Sequence, residues 1–349
     1  MKTLLTLSLL LAVAMIAGTV SAAPSPAAAT DSPAKFYQGK VITINTQSPA
    51  GSTSDLWART LAVYLPEITG AKIAVKNETA GGGRVIENAF ATTIKPDGLT
   101  MMFTSAGTIW PAFMTGDPAV KFDITKFQYI GGTESSNTLI AVSPKGKIKT
   151  IDDLRKAKGL KFAASNKTSL LTYANALAMS ILGLDGRIIT GFQGSTGRLL
   201  AIQQGDADGL VTSPVSAARG MTDGVMLPLV QIGTERTKPC EEFPSMMEIV
   251  KADTLNDMQK RLIASIDILS DAKFLFAPPG VPQDRMAFLS GAFKKALENP
   301  ALRAAMLKAT GEDIPPYVSG DALSKTAKQL AARKPEMTIW NDVLNKYVK

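Results

Sequence analysis

Two loop segments carry the residues with the clearest chemical potential. Residues 46–67 read TQSPAGSTSDLWARTLAVYLPE, and residues 79–84 read TAGGGR. In the first, Ser52, Thr53 or Ser54 can cap the helix predicted by the apolar spacing of Trp57, Leu61, Tyr64 and Leu65, and STSD fits a Ser-x-x-Asp capping pattern. Gly51 permits a close backbone path that presents amide hydrogens. Unpaired amides at a helix start, with hydroxyls beside them, suit a carboxylate or another anion. Plain helix capping uses the same residues, so the loop alone leaves both readings open. In the second segment, three consecutive glycines let the backbone approach a ligand and shape an amide concavity before the next helix. It matches neither G-x-G-x-x-G nor G-x-x-x-x-G-K-S/T, so no nucleotide cofactor is indicated. Arg84 can grip a carboxylate bidentately, face solvent or pair with Glu87.

Composition narrows the chemistry. Among 349 residues there is no histidine and one cysteine, Cys240. His-based zinc sites and Ser-His or Cys-His catalysis are thereby excluded, as is an internal disulfide. Cys240, beside two glutamates in RTKPCEEFP, reads as structural. A net charge of +8 is spread without a long basic run, which gives a nucleic-acid role little support.

The elements that must position these loops follow from the pattern. Residues 1–23 have the order of a secretory signal peptide, one lysine, an apolar run and a small-residue end, which implies export to the periplasm. Residues 24–37 are expected to be a flexible leader. The segments KVITINT, AKIAVKN and LTMMFTS read as strands, with helices after the first two, so a mostly parallel α/β sheet is expected. In such sheets ligands collect beyond the carboxyl ends of the strands. A second unit repeats this order from about residue 141, and long helical segments close the chain. The expected architecture is α/β in two lobes joined by two crossings, an arrangement suited to closing on a small molecule. Lobe one comprises 38–140 and 241–349 with the carboxyl-terminal helices, and lobe two comprises 141–240.

Several motifs in register resemble the substrate-binding receptors of tripartite tricarboxylate transport, the Bug receptor family. PAGSTSDLWAR at 49–59 is similar to the family's P-A-G-G-x-x-D-x-x-A-R loop, and NETAGGGRVIENAFATTIKPDGLTMMF at 77–103 to its N-K-P-G-A-G-G and P-D-G-Y-T-L segment. KTIDDLRKAKGLKFAASNKTS, FQGSTGRLLAIQQGDADGL, FLFAPPGVPQD and ALENPALRAAMLKATGEDI keep the family order, so the resemblance runs from about residue 38 to the terminus. It implies an α/β two-lobe periplasmic solute-binding protein of the type II kind with its ligand cleft between the lobes: an extracytoplasmic, monomeric receptor, not an enzyme and without a cofactor, that closes on a small organic acid and delivers it to a membrane permease of the tripartite tricarboxylate type.

Carried onto this chain, the resemblance implies a carboxylate site of Ser48, Ala50, Gly51, Ser52, Thr53 and Asp55 with Thr79, Ala80, Gly81, Gly82, Gly83 and Arg84. Ser105 and Ala106 follow the third strand into the same cleft. Asp55 reads better as a loop organiser than as an anion's partner. Thr172 stands where the family's G-S-x-x-H motif has histidine, and Asn166, Thr168, Ser169 and Gln193 offer neutral hydrogen-bonding groups in lobe two; Thr168 and Ser169 equally suit helix capping, Thr172 a helix interior and Gln193 a turn brace. Trp110 either covers an aromatic or apolar ligand body or is ordinary packing. Two other classes stand beside the receptor: a sensor subunit presenting the same solute to a membrane kinase, and a hydrolase using Asp55 with a second carboxylate.

Overall fold

Strand-forming and helix-forming segments alternate along the chain. The computed structural model describes residues 32–134, 137–167, 169–192, 194–238, 240–264, 266, 272–310, 313–334 and 338–348. The chain forms α1 (Pro33–Tyr37), β1 (Val41–Thr46), α2 (Thr53–Thr69), β2 (Lys72–Asn77), a 3-10 turn (Ala80–Gly83), α3 (Arg84–Thr92), β3 (Thr100–Ser105), α4 (Ala106–Met114) and β4 (Gln128–Thr133). It crosses into β5 (Thr138–Val142), α5 (Ile151–Lys156), β6 (Leu160–Ala163), α6 (Leu170–Leu182), β7 (Gly186–Ile189), α7 (Gly194–Gln204), β8 (Gly209–Thr212), α8 (Pro214–Thr222) and β9 (Leu227–Ile232). It returns through α9 (Met246–Ile249), a 3-10 turn (Ala252–Thr254), α10 (Asp257–Ala264), β10 (Lys273–Ala277), α11 (Gln283–Glu298), α12 (Pro300–Thr310), β11 (Tyr317–Ser319), α13 (Gly320–Ala332) and α14 (Thr338–Tyr347).

The expected signal peptide, 1–23, lies outside the described residues. The expected leader needs correcting at its end: residues 33–37 are helical, because Tyr37 is fully buried, stacks on Phe288 at 5.1 Å and donates to Gly98 O at 3.2 Å.

Among the described residues the strands form two sheets, with orders β11-β4-β10-β3-β1-β2 and β7-β6-β8-β5-β9. Each is mixed rather than mostly parallel. β1 pairs in parallel with β2 and β3, and β6 in parallel with β7 and β8. The antiparallel strands β10 and β5 sit at the two places where the chain passes between sheets. Periodicity did not reveal β10 as a sheet strand, because Lys273–Ala277 is buried at four of five positions and shows no alternation.

In each sheet one strand has its two parallel partners on opposite sides. β1 lies between β3 and β2, and β6 between β8 and β7. The connection leaves to one side and the next comes back to the other, so a crevice opens at the carboxyl ends, between β1 and β3 and between β6 and β8.

The first sheet is held by α2, α11 and α12, with Trp57 stacked on Phe103 at 5.6 Å. Fully burying such rings contributes roughly 2–3 kcal/mol each. The closing helices divide between the sheets. While α11 and α12 cover the first, α14 lies on α6: Tyr173 meets Trp340 edge-on at 6.3 Å, and Val348 bridges to Ile188 of β7. The expectation that the carboxyl-terminal helices all join lobe one holds for α11 and α12 but not for α14, because apolar spacing predicts a helix without saying which sheet receives it.

Candidate functional site

The crevice between β1 and β3 is bridged by Gln47. Its Nε2 donates to Thr104 Oγ1 of β3, and its Oε1 is buried without a partner among the described residues. The next residues turn back on themselves: Ser52 N donates to Pro49 O at 3.1 Å, and Ser52 Oγ accepts from Asp55 N at 3.4 Å as the cap of α2. Asp55, 1 % exposed, holds the loop from inside. Its Oδ2 accepts from Gly51 N at 2.8 Å and Arg59 Nε at 2.9 Å, and its Oδ1 accepts from Asn77 Nδ2 at 2.8 Å. Asn77 also donates to Ser48 O at 2.9 Å, joining the end of β2 to the loop after β1. Burial works to raise the Asp55 carboxyl, yet these hydrogen bonds outweigh it and hold it below the ordinary carboxylate range.

These bonds sort the candidate residues of the first loop. Gly51's amide is consumed by Asp55, and Asp55's oxygens are consumed by the loop. The amides of Thr53 and Ser54, the first two positions of α2, have no intrahelical acceptor. Ala50 is exposed, and Ser48 is half-buried with its hydroxyl unbonded among the described residues.

The second loop rises opposite. Gly81, Gly82 and Gly83 have φ of 59°, 66° and 90°, a left-handed run that only glycine adopts without strain. A Cβ on Gly83 would lie 2.4 Å from Gln47 Cβ, so the glycine loop is seated directly on the β1–β3 crevice. Gly83 N donates to Thr79 O at 3.2 Å, whereas the amide of Gly81, early in the turn, has no acceptor within it. Thr79 and Ala80 are exposed beside them.

Arg84 is already engaged. It contacts Glu87, and its Nε donates to Asp117 Oδ2 at 3.2 Å. Of the three readings open to it, pairing with Glu87 is the one observed. Glu87 is fully buried, and one of its oxygens has no partner among the described residues. Burial pushes its carboxyl up to about 7, with Asp117 adding to the rise and Arg84 opposing it. Between the unfolded value of 4.5 and this folded value, the native state keeps a proton that the unfolded chain has released. Glu87's contribution is thus full below pH 4.5 and lost as pH rises through about 7. Glu87→Gln is expected to remove a fall in stability on the order of 2–3 kcal/mol between pH 5 and pH 8. Melting temperatures across that range check this, and parallel slopes for both proteins would exclude Glu87 as the titrating group.

After β3, Ser105 and Ala106 enter α4. Ala106 is fully buried and its amide donates to Ala272 O at 2.7 Å, which removes it from the cleft surface. Ser105 stays half-exposed, its hydroxyl 3.1 Å from Thr108 Oγ1. The next residue meets the second sheet. A Cβ on Gly107 would lie 2.6 Å from Leu170 Cδ2, so α4, which follows β3, abuts the first turn of α6, which follows β6. The carboxyl-end loops of the two sheets therefore converge.

On the second side, Ser169 caps α6, accepting from Thr172 N at 3.3 Å. Thr172 is fully buried and braces the loop: its hydroxyl donates to Asn166 O at 2.6 Å and lies 2.8 Å from Ser169 Oγ. Asn166 is exposed and Ser169 half-buried. Thr168 and Gln193 lie outside the described residues. Gly191 N donates to Ser165 O at 3.0 Å and Phe192 N to Ala164 O at 3.3 Å, tying the loops after β6 and β7 together.

Trp110 belongs to the core. It is 1 % exposed, stacks on Phe274 at 5.4 Å and points its Nε1 at Tyr129 Oη, 3.4 Å away. Cys240 is buried, and burial pushes its thiol up to about 11, as suits a structural residue. Sequence patterning missed Gln47 and Asn77, whose roles arise from neighbours in space; the only signal was their place at strand ends. Among the described residues there is no cluster of acids and Cys fit to hold a metal, and no helix is long and apolar enough to cross a membrane.

Residues 57–337 match the family described as the tripartite tricarboxylate transporter family receptor. The sequence has no significant match among curated proteins. Solved structures show the same fold. A TctC solute-binding protein from Polaromonas, without ligand, is 19% identical over 89% of this chain and 99% of its own, with a TM-score of 0.65. MatC from Rhodopseudomonas palustris with bound malate is 19% identical over 87% and 99%, TM-score 0.66. A second R. palustris protein, with adipate, is 16% identical over 86% and 97%, TM-score 0.67. The two sheets of this chain are thus the two lobes of a periplasmic solute-binding fold, and the chain belongs to the tripartite tricarboxylate transporter receptor family.

Proposed function

We propose that this chain is an exported receptor that binds a small organic acid in the cleft between its lobes and hands it, chemically unchanged, to a membrane permease of the tripartite tricarboxylate type. The observation that carries the reading is the group of amides without an acceptor in their own helix or turn, Gly81 after β2 and Thr53 and Ser54 at the start of α2, on two loops that Asn77 and the seat of Gly83 on Gln47 tie together. Amide hydrogens so grouped, reinforced by the positive end of a 17-residue helix, favour a carboxylate. The malate and adipate bound by two relatives of the same fold support the acid class. The export signal expected at 1–23 supports a periplasmic location.

Calorimetry against organic acids and neutral sugars tests the reading. Acids should bind and be recovered intact by mass analysis. Tight binding of sugars with no response to acids would reject the carboxylate site, and turnover of the acid would reject the receptor.

A variant localises the anion. A Cβ on Gly82 would meet nothing within 4 Å, so Gly82→Ala costs only the backbone strain of its φ of 66°, about 1–2 kcal/mol. That methyl would stand beside the open amides, and about a tenfold loss of acid affinity is expected. Unchanged affinity in the folded variant would move the carboxylate elsewhere.

A further inference from the structure

The second lobe holds a cation that stability does not explain. Arg198, on the second turn of α7, is 6 % exposed, yet no carboxylate lies against it among the described residues. Its Nε donates to Gly194 O at 3.1 Å and its Nη1 to Val211 O at 2.6 Å. Among the described residues its Nη2 makes no hydrogen bond, and that nitrogen is not sealed from solvent. A guanidinium buried against carbonyls alone is costly, because desolvation is not repaid by an opposite charge. Burial does lower it, to about 10, which leaves it charged at neutral pH.

Its place in the sheet suggests why the cost is tolerated. The β6–β8 pairing ends at Ala163↔Leu210, and Val211 is the next residue along β8. Arg198 therefore stands at the carboxyl end of the β6–β8 crevice, the second lobe's counterpart of the β1–β3 crevice that Gln47 bridges. The two carbonyls take up Nε and Nη1 and fix the fork, leaving one Nη2 edge uncommitted.

We infer that Arg198 is a specificity-determining residue, receiving the distal acidic group of a ligand whose first carboxylate is held by the amides of lobe one. The inference rests on the acid-receptor reading above and deepens it: the preferred ligand carries two acidic ends. Neutral groups such as Ser169 and Asn166 then shape the path between those ends rather than supply the charge.

Succinate and adipate, each paired with its own monoamide, make the test. The monoamide keeps one carboxylate and the length of the chain but removes the distal charge. With the wild-type protein, the diacid that binds more tightly is expected to lose about 30-fold on conversion to its monoamide. In Arg198→Gln, diacid and monoamide should bind alike, while the wild-type affinity for the monoamide is kept within about threefold. Arg198→Lys should recover part of the preference. Wild-type protein that binds diacid and monoamide equally would overturn the inference without any variant. So would a folded Arg198→Gln protein that still prefers the diacid. Should neither diacids nor monoamides bind the wild type, the receptor reading itself falls, an outcome distinct from binding that ignores Arg198.

Discussion

Replacing Asp55 by alanine should lower stability by about 3 kcal/mol and weaken acid binding by about 100-fold. The carboxylate is 2 % exposed, and three donors converge on it from three places in the chain: Gly51 N in the loop, Arg59 in α2 and Asn77 at the end of β2. These donors are not equal. Arg59 is 51% exposed, so its ion pair with Asp55 is screened and contributes little. Gly51 N and one hydrogen of Asn77 Nδ2 bond to it at part-buried positions, and both lose their acceptor, while the other hydrogen keeps Ser48 O. The affinity loss is larger than the stability loss alone would suggest. Asn77 ties Ser48 O to Asp55, so the loops after β1 and β2 lose a shared anchor, and the amides of Thr53, Ser54 and Gly81 are no longer held in one arrangement. Chemical denaturation and calorimetry on the same preparation check both numbers. Arg59→Ala serves as the control and should change either by little. An Asp55→Ala protein that is destabilised but binds at wild-type affinity would show that loop order is not what holds the acid.

The alternation of β1, α2, β2, α3 and β3 was legible because each element is long enough to show its own period, and the two-lobe architecture follows from its repetition. The chemistry of the site was less so. Arg84, Thr172 and Trp110 each admitted a ligand-facing and a structural reading from their neighbours in sequence. The structural reading is observed in each case, through Glu87 and Asp117, through Asn166 O, and through Phe274 and Tyr129. Arg198 went the other way. In GSTGRLLAIQQG it reads as one more basic residue on an amphipathic helix, and nothing in that spacing says that Val211, thirteen residues on, comes back to receive its Nη1. Burial without a counter-charge is a property of the tertiary fold, and no periodicity encodes it. Capping was the exception: Ser52 and Ser169 cap the helices that follow them, because a capping bond spans only three residues and is written locally.

Gly107→Val is expected to hold the lobes apart and cost about 10- to 100-fold in acid affinity, with both lobes still folded. Gly107 has no positive φ, so its backbone accepts a side chain; the constraint is the neighbour. A Cβ there would stand 2.6 Å from Leu170 Cδ2 and 2.9 Å from its Cβ, and Leu170 is 4 % exposed with little room to turn away. The contact joins the first turn of α4, just past the β1–β3 crevice, to the first turn of α6, just past the β6–β8 crevice. Branched atoms at Gly107 therefore push on the seam where both halves of the proposed site converge. An alanine there should act in the same direction with a smaller effect. Small-angle scattering should report a larger radius for Gly107→Val than for wild type with saturating acid. Compensation distinguishes wedging from simple damage. Leu170→Ala alone should destabilise by roughly 2–3 kcal/mol through its cavity. Combined with Gly107→Val it removes the 2.6 Å clash with Cδ2 and leaves only the 2.9 Å approach of the two Cβ atoms, so the double variant should bind better than Gly107→Val alone. If the double variant binds worse than either single one, the losses are independent packing defects. If Gly107→Val binds and scatters as wild type does, the α4–α6 seam is not where the lobes close.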